Sequence, residues 1–354
     1  MPNENRPGSG SPRSRSGVAS SSPARGTATS ADESLPVVVV GLDALGRAIA
    51  ARVLRHPELR LAGAVDPGRK GELLPAAVPG APELKVVGEV SEVSRSARGG
   101  VALIAAGATL DEALPLVEAA VRSGLHVVAA CEELAHLAFV DEELAEKIDR
   151  AATRADVCVL GAGVSPGLVL DRLVVTAAAG CGEVRHVEAG RVIDAGRLPA
   201  AGRERLGLGL SADEFERRAE EGEAGDPGLP VACALLAEGL ALEVDEIEEE
   251  IDPILAGPAV AGAEGSDAGT VRGIRQVARA FDEGREVVRV ELRVEAGAEP
   301  RDYARIDAEP PIALEIPGGI ADDPARAWAM VNAATRVAAA EPGLLTVMDL
   351  PAGR

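Results

Sequence analysis

A glycine turn between a buried strand and a helix is the first feature of this chain that could bind a ligand. Residues 37–40 are four valines, and they lead into Gly41-Leu-Asp-Ala-Leu-Gly46 and an apolar helical stretch. The next strand candidate ends on Asp66, twenty residues after Gly46. Such a turn offers free backbone N–H groups and the positive end of a helix to a pyrophosphate, and the acid can accept ribose hydroxyls. This order predicts a dinucleotide-binding βαβ unit, with Gly41, Leu45, Gly46 and Asp66 as contacts.

Asp43 departs from the usual Gly-x-Gly-x-x-Gly pattern, in which its position is a glycine that lets the backbone approach the pyrophosphate. A carboxylate there takes up space and repels a phosphate. Asp43 is therefore a cofactor contact that should weaken affinity, and a domain that has lost tight cofactor binding is an alternative interpretation. Asp66 favours NAD through the ribose 2′-hydroxyl, whereas Arg69 and Lys70 could receive a 2′-phosphate. The pattern thus leaves NAD and NADP both open.

Two adjacent carboxylates, Glu132 and Glu133, follow Cys131 after a buried strand candidate. One carboxylate beside a nicotinamide can stabilise an iminium cation or take a proton from attacking water. We expect Cys131 to lie against the cofactor. The alternative is that the two acids only complement the dipole of a first helical turn.

Three other loops fall where strands should end. Ala106 and Gly107 are small enough to let a cofactor pass close to the backbone, although an ordinary tight turn explains them equally well. Ser165 lies in the glycine-rich segment 161–167, which is either a hinge opening into the cleft or a plain linker. Arg191 clusters with Asp194 and Arg197; it could bind a substrate carboxylate bidentately, or form a structural Arg–Asp pair.

Composition limits the classes of protein that this chain can be. Its 354 residues are enough for two domains, and 47% are apolar while only 1% are aromatic, which predicts aliphatic cores. The formal net charge of −21 argues against nucleic acid as a partner. The sequence contains no apolar run of the roughly 20 residues that a membrane helix needs. Four widely spaced cysteines predict neither a zinc site nor disulfides, which fits a reducing cytoplasm.

The order of elements predicts two domains. Residues 1–34 are rich in Ser, Gly, Pro and Arg and should be a disordered tail. Residues 35–165 alternate strands and helices, which predicts a Rossmann-like α/β domain with a parallel sheet. Strand candidates are 36–40, 61–65, 85–87, 101–105, 125–130 and 156–160; helix candidates are 45–55, 110–123 and 139–154.

Residues 166–321 should form an α+β substrate and dimerisation domain with an open, largely antiparallel sheet. Its long exposed strands predict a homodimer formed through that sheet. Residues 322–354 begin with a helix to about residue 340, and we expect this segment to pack back onto the first domain. The predicted elements here are helices at 167–179, 211–222 and 229–241, strands at 184–193, 269–281, 286–295 and 303–316, and an acidic strand or edge at 245–252.

Five segments together resemble 2,4-diaminopentanoate dehydrogenases and the native amine dehydrogenases near them, whose N-terminal domain is similar to that of dihydrodipicolinate reductase. The resemblance covers about residues 36–351. The segments are Gly41 to Asp66, Cys131-Glu-Glu-Leu, Gly161-x-Gly-Val-x-Pro-Gly, Arg191-Val-x-Asp-Ala, and Asn332 followed by Pro342-Gly-Leu-Leu-Thr.

The resemblance implies NAD(P)-dependent oxidative deamination of an amine, or reductive amination of a ketone in reverse. Related oxidoreductases hold a catalytic lysine in a Cys-Glu-Lys-Pro motif, and Glu133 takes that lysine's place here. The resemblance therefore implies that Glu133 faces the iminium, with Glu132 second. It also assigns Ser165, Arg191 and Asn332 to the substrate side.

Two departures from the family pattern concern the substrate side. Ser165 stands where the family usually has Asn, and residues 226–232 replace an expected Gly-His-x-Gly-Leu-x-Glu-Ser. Two alternatives follow: a carbonyl or imine reductase that works without ammonia, and a degenerate homologue that binds a cofactor or metabolite without turning it over.

Overall fold

The computed structural model describes residues 34–93, 97–257 and 269–352. The predicted tail lies almost wholly outside these residues. The strands are β1 Leu35–Val40, β2 Leu59–Val65, β3 Val101–Ile104, β4 His126–Ala129, β5 Cys158–Gly161, β6 His186–Asp194, β7 Glu246–Leu255, β8 Val271–Asp282, β9 Arg285–Glu295, β10 Arg301–Asp307, β11 Ile312–Pro317 and β12 Gly343–Leu345. The α-helices are α1 Ala44–Val53, α2 Leu74–Ala77, α3 Leu110–Arg122, α4 Leu137–Val140, α5 Glu142–Ala155, α6 Arg172–Ala178, α7 Ala200–Arg205, α8 Ala212–Glu220, α9 Gly228–Gly239 and α10 Asp322–Val337.

The first sheet is a parallel sheet in the order β12-β5-β4-β3-β1-β2, which confirms the Rossmann-like prediction. Its inner strands are buried on both faces, as the four-valine run of β1 requires. One face packs on α1 and α10, and the other on α3 and α5. Strand β1 lies between β2 and β3, so the order in which strands are added to the sheet reverses at β1. At such a point a crevice opens beyond the carboxyl ends of the strands.

The second sheet has the order β11-β10-β6-β9-β8-β7 and is antiparallel except where β6 runs parallel to β9. The predicted hairpin between β8 and β9 is confirmed: Glu283 and Gly284 both have positive φ, as a type I′ turn requires. The acidic run is the edge strand β7. The predicted strand 303–316 was wrong in one respect, since it is the hairpin of β10 and β11. Two prolines at 310–311 cannot donate to a ladder, so the strand breaks there.

The C-terminal segment returns to the first sheet. Helix α10 packs along α1, and β12 adds to the sheet beside β5. The Arg52 guanidinium lies 5.3 Å from the centroid of the Trp328 ring at this contact, within the range of a cation–π interaction. The first and the last of the described strands, β1 and β12, thus lie in the same sheet.

Two other elements differ from the sequence prediction. Residues 85–87 form only isolated bridges, from Lys85 to Leu73 and from Val87 to Val65. The helix expected from residue 167 begins only at Arg172, because the buried Asp171 side chain accepts the N–H groups of Gly167 and Arg172 and caps the helix there. In the described ranges we find no helix long and apolar enough to span a bilayer.

Candidate active site

The glycine turn after β1 is closely packed and specific for glycine. Gly41 has φ +86°, and a Cβ there would lie 2.8 Å from the Cβ of Ala106 in the loop after β3. A Cβ on Gly46 would lie 1.9 Å from the Gly41 carbonyl oxygen. The turn, the Ala106 loop and the start of α1 therefore touch, as a close approach of backbone to a pyrophosphate needs.

Asp43 is the N-cap of α1. Its Oδ1 accepts the Gly46 N–H at 2.8 Å, so the carboxylate occupies one of the donors that a pyrophosphate would otherwise use. Leu45, in the first turn, packs against the apolar core of the first domain. The expected cofactor contacts here are thus the backbone of the turn, with Asp43 as a competitor for one N–H group.

Asp66 is fixed at the tip of β2 by two backbone donors. Its Oδ2 accepts from Leu42 at 3.0 Å and its Oδ1 from Gly68 at 2.9 Å. The two nearby cations are engaged elsewhere: Arg69 pairs with Glu72 at 3.2 Å, and Lys70 with Glu92 at 2.9 Å.

A cavity of about 610 Å³ adjoins the glycine turn and Asp66. Ala106 forms part of its wall, and Leu116 and Ala119 of α3 add an apolar side. Gly107 supports that loop, since its φ is +83° and a Cβ would lie 2.7 Å from the backbone of Ala113. An adenosine fits this chemistry: the base on the apolar side and the ribose at the Asp66 carboxylate.

Glu133 points away from the interdomain cleft. Its Oε2 accepts the backbone N–H of Leu110 at 2.9 Å, at the start of α3. The Cys131 thiol lies 3.7 Å from the same oxygen, and burial raises the pKa of this thiol to about 11, so it stays protonated. Glu133 and Cys131 therefore hold the loop after β3 against the end of β4.

Glu132 is the carboxylate that faces the cleft. It is only 6% exposed and lies at the start of a 3₁₀ turn after β4. Arg205 of α7 donates to its two oxygens at 3.1 and 3.3 Å, and Arg326 of α10 donates at 2.9 Å. The sequence interpretation ranked Glu133 first, but the geometry places Glu132 at the cleft, because the second of two successive residues turns to the other side of the loop.

Asp226 is a carboxylate of this site that the sequence interpretation missed. Its Oδ1 accepts the Gly228 N–H at 2.9 Å. Its pKa is raised to about 7, first by desolvation and second by the negative charge of Glu132. The positive charges of Arg205 and Arg326 lower this pKa but do not cancel the rise. One feature of the sequence could have pointed to Asp226, namely that residues 226–232 depart from the family pattern.

Glu132 and Asp226 line the same cavity, of about 150 Å³, between the end of β4 and the second sheet. Ser165 lines it as well. The cavity has a polar end and an aliphatic wall. The wall consists of Ile193, Leu198, Leu206, Leu292 and Val294.

Arg191 borders this cavity, but its guanidinium is already bound within the protein. It is 3% exposed and donates to Asp302 at 2.9 Å, to Asp322 at 2.8 Å and to the Ile320 carbonyl at 2.8 Å. These contacts agree with the alternative of a structural Arg–Asp pair, with Asp302 and Asp322 as partners, whereas Asp194 accepts from the backbone of Gly196 and Gly297. Arg191 thus joins the second sheet to the start of α10.

Asn332 is not among the residues that line the cavity at Glu132. It lines a different cavity, of about 430 Å³, between α10, the end of β5 and the start of α6, together with Trp328 and Leu160. The sequence motif containing Asn332 was recognisable, but its distance from the carboxylates depends on the crossing of α10 over the sheet.

Comparison with known proteins agrees with this architecture. The 2,4-diaminopentanoate dehydrogenase of Acetoanaerobium sticklandii is 28% identical over 348 residues, which cover 91% of this chain and 95% of the relative. The amine dehydrogenase from Mycobacterium smegmatis has a TM-score of 0.79 at 21% identity, over 90% of this chain and 97% of that one. The dipicolinate-bound dihydrodipicolinate reductase from Paenisporosarcina sp. TG-14 has a TM-score of 0.52 at 13% identity, over 89% and 98% of the two chains. These two structures establish the shared fold.

The family assignment rests on the second half of the chain. The family model for the 2,4-diaminopentanoate dehydrogenase C-terminal domain matches residues 168–354, more than half of the sequence. This confirms the resemblance stated from the motifs. The chain therefore belongs to the 2,4-diaminopentanoate dehydrogenase family.

Proposed function

We propose that this protein is an NAD(P)-dependent oxidoreductase that acts on CH–NH₂ groups, by oxidative deamination of an amine or, in reverse, reductive amination of a ketone. Membership of the 2,4-diaminopentanoate dehydrogenase family supports this reaction class. The observation that carries it for this chain is the buried Glu132 carboxylate in the cavity beyond the end of β4.

The dinucleotide would be held by the turn from Gly41 to Gly46, by Asp66 and by the loop at Ala106 and Gly107. When bound, the nicotinamide accepts or supplies hydride at its C4 atom. We propose a preference for NAD, because the Asp66 carboxylate accepts ribose hydroxyls and repels a 2′-phosphate. The ion pairs of Arg69 and Lys70 with acids support this preference.

Glu132 is our candidate for the group that stabilises the iminium cation. Its two arginine partners balance its negative charge, and a substrate ammonium or iminium would exchange for part of that contact. We assign Glu133 and Cys131 to positioning of the cofactor loop, and Ser165 to substrate contact. Arg191 and Asn332 keep only supporting roles in this proposal, since neither offers a free donor to the cavity at Glu132.

The substrate would be a small aliphatic amine or ketone. The cavity is only about 150 Å³ and one wall is made of branched aliphatic side chains. Such a wall favours a short hydrocarbon chain through burial of apolar surface.

An assay with paired conditions tests the proposed function. NADH or NADPH oxidation is followed with a panel of short aliphatic ketones, with and without ammonium. Turnover that requires ammonium supports amine chemistry, whereas equal turnover without ammonium indicates a carbonyl reductase. Calorimetric titration of both cofactors is the control, and the enzyme assignment would be refuted if neither NAD(H) nor NADP(H) bound at millimolar concentration.

The organisation of the protein is part of the same proposal. We propose that residues 35–165 are the dinucleotide domain and that 322–354 complete it, with 166–321 as the substrate and dimerisation domain. The two edge strands of the second sheet, β7 and β11, support a homodimer formed through that sheet, which light scattering with size-exclusion chromatography measures. The four free thiols support a reducing compartment such as the cytoplasm.

A further inference from the structure

Two of the carboxylates that line the cavity at the end of β4, Glu132 and Asp226, have different surroundings. Glu132 comes from the first domain and receives three hydrogen bonds from Arg205 and Arg326. Asp226 comes from the second domain, and its side chain has one hydrogen bond among the described residues, from the Gly228 N–H. Guanidinium contacts stabilise an ionised carboxylate, whereas a carboxyl beside that negative charge is favoured in its neutral form.

The position of Asp226 is fixed on both sides. Gln276 of β8 accepts the Asp226 N–H at 2.8 Å and donates to its carbonyl at 2.9 Å. Gln276 is itself buried, and it donates to Glu249 of β7 at 2.6 Å. The Asp226 backbone is therefore held against the second sheet, and the Gly228 N–H orients its carboxylate, as a group that transfers protons should be positioned.

The start of α9 brings the two acids together. A Cβ on Gly228 would lie 2.6 Å from Pro166 Cδ, 3.1 Å from Asp226 Oδ1 and 3.1 Å from Glu132 Cβ. Glycine at this position thus lets the helix approach both the hinge and Glu132. The charged groups that face Asp226 across these contacts are Glu132, Arg205 and Arg326.

We propose that Asp226 is a second catalytic residue, the general acid and base that works opposite the Glu132 carboxylate. This inference rests on the proposed function. In the amination direction the Asp226 carboxyl gives its proton to the hydroxyl of the carbinolamine, the C–O bond breaks, and water and an iminium cation form beside Glu132. In deamination the Asp226 carboxylate takes a proton from water as the water oxygen bonds to the iminium carbon. Each step transfers one proton and conserves charge.

Two carboxylates whose environments separate their protonation states are a known arrangement for acid–base work. With a pKa of about 7, the Asp226 carboxyl can be protonated or ionised near neutral pH, as a general acid and base must be. In amination at a constant concentration of free ammonia, the rate should fall as pH rises through about 7, because the acid form is then lost. In deamination the rate should rise as pH rises through about 7, because the carboxylate form is the one that takes the proton from water.

The test compares Asp226→Asn with Asp226→Glu and with Asp252→Asn, an exposed acid on β7 that serves as the control. Asparagine keeps an acceptor for Gly228 but cannot supply the proton. We expect Asp226→Asn to lower kcat by about 10²- to 10⁴-fold, to remove the pH-dependent limb and to leave the dissociation constant for NADH unchanged. Asp226→Glu should recover part of kcat, and Asp252→Asn should behave as the unchanged protein.

A readout that does not depend on turnover accompanies the kinetics. Difference infrared spectra should contain a protonated-carboxyl band that titrates near pH 7 and is absent from Asp226→Asn. Asp226→Asn activity within twofold of the unchanged protein, or joint loss of activity and NADH binding without recovery in Asp226→Glu, would overturn the catalytic role alone. An unchanged protein that binds NADH and has no amine activity would refute the proposed function as well.

Discussion

The Asp66 carboxylate accepts the backbone N–H of Leu42 at 3.0 Å, so the tip of β2 is joined to the glycine turn that follows β1. The same carboxylate accepts from Gly68 with its other oxygen. The acid is thereby held at the point where the strand order reverses, before any ligand arrives. Preorganisation of this kind reduces the entropy that cofactor binding must overcome.

Asp66→Asn should lower the affinity for NAD and change the ratio between cofactors. Asparagine retains an acceptor for Leu42 but loses the charge. Hydrogen bonds to charged groups contribute about 1.5–3 kcal/mol, so we expect the dissociation constant for NAD to rise roughly tenfold or more and that for NADP to change less. Fluorescence titration with both reduced cofactors measures this. Glu58→Gln, which changes an exposed acid at the opposite end of β2, is the control, and an unaltered NAD to NADP ratio would contradict the assignment.

Asp43→Gly should tighten cofactor binding while it weakens the fold. The substitution removes negative charge near the pyrophosphate and frees the Gly46 N–H, but it also removes the N-cap of α1, and loss of a cap to glycine costs a few tenths of a kcal/mol. Asp43→Asn keeps the cap and removes the charge, so it separates the two effects. Calorimetry and thermal unfolding give the two readouts. Equal cofactor affinity in all three proteins would show that Asp43 does not oppose the phosphate.

Glu132→Gln and Glu133→Gln should differ in their kinetics. Glu132→Gln removes the charge in the cleft and should reduce kcat by about 10²-fold or more, the usual scale for a missing electrostatic contact to a developing charge. Glu133→Gln can still accept from Leu110, so most activity should remain. Steady-state amination rates at saturating NADH test this. Normal activity in Glu132→Gln together with loss in Glu133→Gln would restore the ranking inferred from the motif.

Arg191→Met should lower the free energy of unfolding. The change leaves Asp302, almost fully buried, without its cation, and breaking one side of a buried pair costs about 3–5 kcal/mol. Arg305→Met, which breaks an exposed pair with Glu188, should cost less than about 1 kcal/mol. Denaturant unfolding provides both values. A stable Arg191→Met protein with only a raised KM would instead support direct substrate binding.

Asp226 should also give stability a dependence on pH. Its pKa rises from the ordinary 3.8 to about 7 on folding, so its contribution is complete below about pH 4 and is lost as pH rises through 7. At about 1.4 kcal/mol per pKa unit, the free energy of unfolding should fall by up to about 4 kcal/mol over that range relative to Asp226→Asn. Urea titrations at several pH values measure the difference; parallel curves would contradict it. Buried Asp171, whose pKa is raised to about 6, affects both proteins alike.

The local features of the site could be predicted, because strand, turn and cap signals are short-range. Gly41, Gly46 and Asp66 depend on one βαβ unit whose order is written in consecutive residues. The direction of Glu132 and Glu133 was not predictable, since it is set by how the 3₁₀ turn packs on Gly161, where a Cβ would lie 2.3 Å from the Ala135 nitrogen.

The features of the site that could not be predicted from the sequence depend on contacts between residues that are far apart in the chain. Arg205 and Arg326 reach Glu132 from positions 73 and 194 residues away. Each lies on a helix, and nothing in the local pattern distinguishes it from an arginine exposed to solvent. Asp226 stood in a segment that differed from the family pattern, and only its place beside Glu132 gives that difference a chemical meaning.

Trp328 is the one tryptophan of the sequence, and it lies where α10 crosses α1. Its indole emission therefore monitors a single junction, the docking of the C-terminal helix onto the nucleotide domain. The α10 backbone also carries Arg326, which holds the carboxylate in the cleft. Any ligand that draws Glu132 away from that arginine can shift the helix, and a spectroscopist could follow the event in the native protein without attaching a dye.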